Sequence, residues 1–218
     1  MAMARQSSTL RPFSERERGR LRLYLVVAAL TSVLPCRVQG AVGDEPDTGW
    51  IDRNALEMGE ILVRTEKDPR PLTVSVEVAE LIAAPPRAIW DVLVACQVAP
   101  EYVPNVVSCR SLEVVDEGRA ELFVQRVKPA FFLPTFEHVF RLDYDPYRRI
   151  DVHRVSGPIA RMDGTWWLLP QINGETLLVY ELALDPGMPV PRFFVRATLK
   201  RDLPRILAAV RQRAEAQR

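Results

Sequence analysis

The strongest constraint on the fold is the stretch from 105 to 185, where six runs of alternating apolar and polar residues follow one another across connectors of a few residues. The runs are 105–115, 119–128, 135–145, 149–156, 162–170 and 175–185. Turn signals separate them at Asp116-Glu117-Gly118, at Asp145-Pro146-Tyr147-Arg148 and at Asn173-Gly174. Period-two alternation predicts half-buried strands. Connectors this short cannot hold a crossover, so successive strands are antiparallel neighbours in a meander.

The flanks complete the pattern. Leu72, Val74, Val76, Val78 and Ile82 recur at even positions with Thr73, Ser75 and Glu77 between them, predicting a strand over 72–82. It pairs with 60–65 across the turn at Lys67-Asp68-Pro69-Arg70-Pro71. Pro85-Pro86 then opens a helix with an apolar stripe of Ile89, Trp90, Leu93 and Val94, and a second short helical segment covers about 98–104. Ahead of the hairpin, Trp50 to Met58 reads as a short amphipathic helix. After Asp185-Pro186-Gly187-Met188-Pro189 the period changes. Leu199, Leu203, Ile206, Leu207, Val210 and Ala214 lie three and four apart, so the tail is an amphipathic helix. Pro204 interrupts it, and Asp202 is placed to cap a restarted helix, predicting a kink near 202.

The N-terminus reads as an address. Residues 1–22 are polar and arginine-rich, and Leu23 to Leu34 form an apolar run of twelve residues. As a helix that run reaches about 18 Å, short of a hydrocarbon core of roughly 30 Å. A basic flank, a short apolar core and small residues at Val38-Gln39-Gly40 or Ala41-Val42-Gly43 are the parts of a cleaved signal peptide. Residues 1–43 are assigned to it, with cleavage near 40/41 or 43/44. Residues 44–57 form an N-terminal extension and 58–217 the folded domain. A buried N-terminal helix or an uncleaved anchor is the competing reading. The expected location is a bacterial periplasm, with eukaryotic secretion as the alternative.

The charge supports this division. Residues 1–43 hold seven Arg against two Glu, and the remaining chain has 22 basic against 26 acidic residues. A mildly acidic body lacks the basic footprint of a nucleic-acid binder. Removal of the leader leaves Cys96 and Cys109. An oxidising compartment favours a disulfide between them, closing twelve residues and contributing about 3 kcal/mol in the chain-entropy model. The alternative is two separate buried thiols.

Ile82-Ala83-Ala84-Pro85-Pro86-Arg87-Ala88-Ile89-Trp90-Asp91-Val92-Leu93, Glu101-Tyr102-Val103-Pro104-Asn105-Val106, Gly164-Thr165-Trp166-Trp167-Leu168, Tyr180-Glu181-Leu182-Ala183-Leu184-Asp185-Pro186 and Arg201-Asp202-Leu203-Pro204 carry a resemblance. On them the chain resembles the START-like (SRPBCC) superfamily, which includes Bet v 1-type allergens, polyketide cyclases and coenzyme Q-binding proteins. The leader would make it an exported bacterial member. The resemblance implies an α+β helix-grip fold: a curved antiparallel sheet wrapped around a long C-terminal helix, with two short helices after the first strand. It also implies a cavity for an apolar ligand such as a lipid or isoprenoid quinone. The strand faces suggest a lining of Phe136, His138, Phe140, Trp166, Leu178 and Tyr180, with Phe193 and Phe194 at the mouth. Taken singly, each of these side chains reads first as solid core, and the resemblance implies a cavity for the set. Phe131-Phe132-Leu133-Pro134 is a hydrophobic loop suited to gating or membrane contact.

Catalysis is the second reading, as a polyketide cyclase or dehydratase using His138 with Tyr180 or Arg154. No Ser/His/Asp constellation, phosphate-cradling glycine loop or metal-ligand spacing is present, so no cofactor and no metal are expected. Arg192, Arg196 and Lys200 at four-residue steps form a basic stripe. It is either a solvated face or a transient contact for anionic lipid headgroups.

Overall fold

Eight strands form one antiparallel sheet in a computed structural model, which describes residues 45–66, 68–70, 72–129 and 134–217. The leader, its cleavage sites and the Phe131-Phe132-Leu133 loop lie outside the described residues. The strands are β1 Leu62–Glu66, β2 Val74–Ile82, β3 Val106–Val115, β4 Ala120–Val127, β5 Phe136–Asp145, β6 Arg149–Ser156, β7 Arg161–Pro170 and β8 Thr176–Asp185, and their order is β1-β2-β8-β7-β6-β5-β4-β3. Every neighbouring pair is antiparallel. The meander from β3 to β8 closes back onto β2, as the short connectors require. Strand β2 begins two residues later than its alternation suggested, and Leu72 is exposed.

Among the described residues there are also three helices: α1 Arg53–Glu57, α2 Pro86–Val94 and α3 Arg192–Glu215. A 3₁₀ turn, Cys96–Glu101, follows α2. Asp52 caps α1 by accepting from the amides of Asn54 and Ala55. Pro85 and Pro86 open α2 without a side-chain cap, at amides that need no helical partner. The two short helical pieces thus follow β2, the first long strand.

The inner face of the curved sheet is covered by two different elements. Helix α3 lies against β2 and α2. It buries Val195, Leu203, Leu207, Val210 and Ala214 against Val74, Val76, Val78, Ile82, Leu178 and Leu182. Farther along the sheet, α2 and the 3₁₀ turn cover Phe123, Phe140, Leu142, Ile150 and Val152. Cys96 and Cys109 are joined by a disulfide with Cα atoms 5.5 Å apart, tying the 3₁₀ turn to β3.

One expectation is corrected. Helix α3 runs through Pro204 without restarting. Asp202 does not cap; its carboxylate takes the guanidinium of Arg201, with Nε 2.7 Å from Oδ1. An interior proline costs about 3 kcal/mol, whereas each large apolar side chain buried against the sheet returns roughly 1.5–3 kcal/mol. Packing on both sides of Pro204 outweighs the break. The short helix read over Trp50 to Met58 is present as α1. Leu56, with Trp50 and Ile51, packs on the outer face of the sheet against Ala79, Trp167, Leu177 and Val179.

Candidate ligand-binding face

Alternation and register place the expected site residues. On β5 the even positions point inward: Phe140 stands opposite Phe123, and His138 opposite Gln125. The rings form a continuous row. Phe123 and Phe140 are stacked at 5.5 Å between centroids, His138 lies 5.6 Å from Phe140, and Phe136 lies 6.2 Å from His138. On β7 and β8, Trp166 stands opposite Tyr180 and Leu168 opposite Leu178. Trp166 and Tyr180 are stacked at 3.7 Å and 10°. Gly164 makes that possible, because a Cβ there would lie 3.1 Å from Tyr180 Oη and 2.8 Å from the Glu181 carbonyl oxygen.

The eight expected residues therefore fall into three groups. Phe140 belongs to the cluster covered by α2 and the 3₁₀ turn, with His138 and Phe136 following it along β5, and Trp166, Leu178 and Tyr180 lie in the cluster under α3. Phe193 and Phe194 are exposed, at 73% and 57%, in the first turn of α3. Leu178 is wholly enclosed. Trp166 packs against both clusters, as do Trp90, Leu93 and Met162, so these four mark the seam between the halves.

His138 is 3% exposed. Its Nε2 lies 3.0 Å from Gln125 Oε1, and its buried Nδ1 has no partner among the described residues. Burial, with the nearby charge of Arg154, lowers its pKa to about 4, so the ring is neutral at physiological pH. Arg154 donates to the carbonyls of Ile159 and Gly157. Gly157 backs directly onto His138. At φ +111° it sits where a Cβ would come 2.7 Å from the His138 Cα, so only glycine lets the β6–β7 connector approach this closely. Burial pushes the Tyr180 phenol up. His153, whose facing the alternation left open, is exposed on the other side of the sheet, 3.7 Å from Asp163.

Sequence reasoning overlooked Gln125 and Phe123, although they share the odd-numbered face of β4 and alternation would have paired them with β5. It also overlooked Glu80, the one charged residue in the even register of β2. Glu80 is fully buried, with Oε1 2.8 Å from Arg211 Nη1 of α3. Burial raises its pKa to about 7; the Arg211 charge opposes that shift and Glu215 adds to it. Glu215 in turn accepts the Ala83 amide at 3.1 Å. The basic stripe is partly spent: Arg192 donates to the Thr73 carbonyl at 2.7 Å, tying the start of α3 to the sheet.

Two open recesses, of about 470 and 260 Å³, lie elsewhere. The larger is a charged hollow around Arg64, Glu66, Glu77, Asp163 and Glu181. The smaller is ringed by Asp116, Arg119, Asp143, Asp145, Arg149 and Asp151. Neither is lined by any of the eight expected residues. Among the described residues no group of three or more His, Cys, Asp or Glu is placed to hold a metal ion.

The family model for polyketide cyclase/dehydrase and lipid transport matches residues 82–211, from the end of β2 into the last turns of α3. The chain belongs to that family. Among solved structures, the Zhui aromatase/cyclase from a Streptomyces species shares 23% identity at a TM-score of 0.56, covering 66% of this chain and 94% of that one. A STAR-related lipid transfer protein fragment from Xanthomonas axonopodis shares 16% at 0.62, covering 71% and 93%. Human STARD10 shares 11% at 0.56, covering 70% and 72%. These likenesses establish the START-type helix-grip fold. A search of curated proteins finds no match. No helix among the described residues is long and apolar enough to cross a membrane.

Proposed function

We propose that this family member binds an apolar small molecule, of the lipid or isoprenoid class, between the inner face of the sheet and its two covers. The observation that carries the reading is the seam. Trp90, Leu93, Met162 and Trp166 touch both inner clusters, so a flexible ligand entering there would meet apolar surface on every side. Burial at roughly 25 cal/mol per Å² supplies the driving force, less the cost of association. The family's lipid transport members, and the lipid transfer protein that shares the fold, support the same class of ligand. Catalysis stands second. His138 is neutral at pH 7 and Tyr180 holds its proton, so neither is poised near neutrality for proton transfer.

The expected setting is the periplasm, reached through cleavage after Gly40 or Gly43, and the Cys96–Cys109 disulfide is compatible with that route. Exposed Phe193 and Phe194, next to Arg192, support transient contact with a membrane surface during loading. The test is competition. A fluorescent apolar probe such as N-phenylnaphthylamine should bind one site on the mature protein and be displaced by long-chain lipids. Absence of saturable binding, together with Trp166→Ala leaving any residual signal untouched, would refute the site.

A further inference from the structure

Of the buried polar atoms on this face that lack a hydrogen bond, the Glu80 oxygens lie beside the Arg211 charge, whereas His138 Nδ1 has no ion-pair partner among the described residues. The Gln125 carboxamide oxygen can only accept, so at 3.0 Å it takes a hydrogen from His138 Nε2. A neutral imidazole carries one N–H, and Nδ1 is therefore a bare lone pair. That nitrogen is buried, on a side chain 3% exposed, and meets no donor among the described residues. The nearest cation cannot serve it, because Arg154 is turned to the carbonyls of Ile159 and Gly157. Rings of Phe136 and Phe140 flank the imidazole, and Gly157 closes its back. Buried polar atoms are ordinarily hydrogen-bonded to protein or ordered water, so one without a partner in the chain calls for a donor from elsewhere.

We propose that His138 Nδ1 accepts a hydrogen bond from a hydroxyl of the ligand, so that the site selects hydroxylated apolar molecules over their ether or carbonyl counterparts. This rests on the apolar-binding reading and narrows it. A carbonyl would set lone pair against lone pair, whereas an alcohol, phenol or hydroquinone offers the missing hydrogen. Within a quinone class, the reduced form is the one that fits. Gln125 is the positioning residue, since its oxygen fixes which ring nitrogen carries the proton.

The test uses the full mature protein and two probes of nearly equal shape, 2-naphthol and 2-methoxynaphthalene, with affinities measured by calorimetry. The proposal expects 2-naphthol to bind about tenfold tighter, the ratio that one neutral hydrogen bond supplies. In His138→Phe the ratio should fall to near one. Nitrogen-15 NMR of the unsubstituted protein provides a second reading, independent of any variant. It should find the proton on Nε2, and the Nδ1 resonance should move when naphthol is added. Equal affinity for the two probes, or a proton on Nδ1, overturns the hydroxyl preference while leaving the apolar site intact. Failure of both probes to bind overturns the site and the preference together.

Discussion

The two halves of the inner face are built alike and finished differently. Each is a patch of apolar strand into which an acid or a base is set. Under α3 that residue is Glu80, whose counter-charge, Arg211, comes from the covering helix. Under the α2 side it is His138, whose one partner, Gln125, lies on the neighbouring strand and leaves the second nitrogen open. A buried charge answered from within the chain locks two elements together. A buried nitrogen whose lone pair meets no donor in the chain still needs a partner. We read the first half as the clamp and the second as the recognition side.

The largest expected effect breaks the clamp. Arg211→Leu leaves Glu80 without its counter-charge and should cost about 3–5 kcal/mol in urea unfolding at pH 8. The loss should shrink at pH 5, where Glu80 takes up a proton. Next comes the cross-link on the recognition side. Replacing both Cys96 and Cys109 with Ser should lower stability by about 3 kcal/mol, while the α3 half keeps its protection in hydrogen exchange. Gln125→Leu should cost about 1–3 kcal/mol by leaving a buried N–H unpaired, and should move the His138 proton between ring nitrogens by NMR.

The pH dependences of the two groups have opposite signs. Glu80 has a folded pKa of about 7 against an ordinary 4.5, so its contribution is complete below 4.5 and is lost as pH rises through 7. His138 has a folded pKa of about 4 against an ordinary 6.5, so its contribution is present above 6.5 and lost as pH falls through 4. Glu80→Gln should therefore remove the decline in stability between pH 5 and 8, and His138→Phe the decline below 6.5. Thermal unfolding across pH reads both. The smallest effect is at the exposed pair. Phe193→Ser with Phe194→Ser should change stability by less than about 0.5 kcal/mol, yet reduce sedimentation with anionic vesicles.

The apolar packing of both halves was legible in the sequence, including the strand face of Phe136, His138 and Phe140, but the polar partners that finish each half were not. Strand placement followed from alternation, and β6 begins and ends where 149–156 was expected. Tail spacing foretold the buried face of α3, because Leu203, Leu207, Val210 and Ala214 can meet a sheet only together. Glu80 stayed hidden because its partner lies far along the chain and a lone carboxylate in a strand reads as solvent-facing. Gln125 was invisible for the same reason: nothing local distinguishes a polar residue facing water from one facing a histidine. The continuous helix through Asp202 escaped because local capping chemistry was weighed without the packing that overrides it. Packing of Trp50 and Leu56 on the outer face likewise depends on residues brought together only by the completed sheet.

The most direct test of the central claim is mass spectrometry of the protein purified from the periplasm, run in its native state and again after solvent extraction. The account predicts a chain cleaved near residue 40 or 43, two daltons lighter for the Cys96–Cys109 bond, carrying one equivalent of an apolar molecule that bears a hydroxyl. A protein that emerges empty, with no apolar compound in its extract, would contradict it.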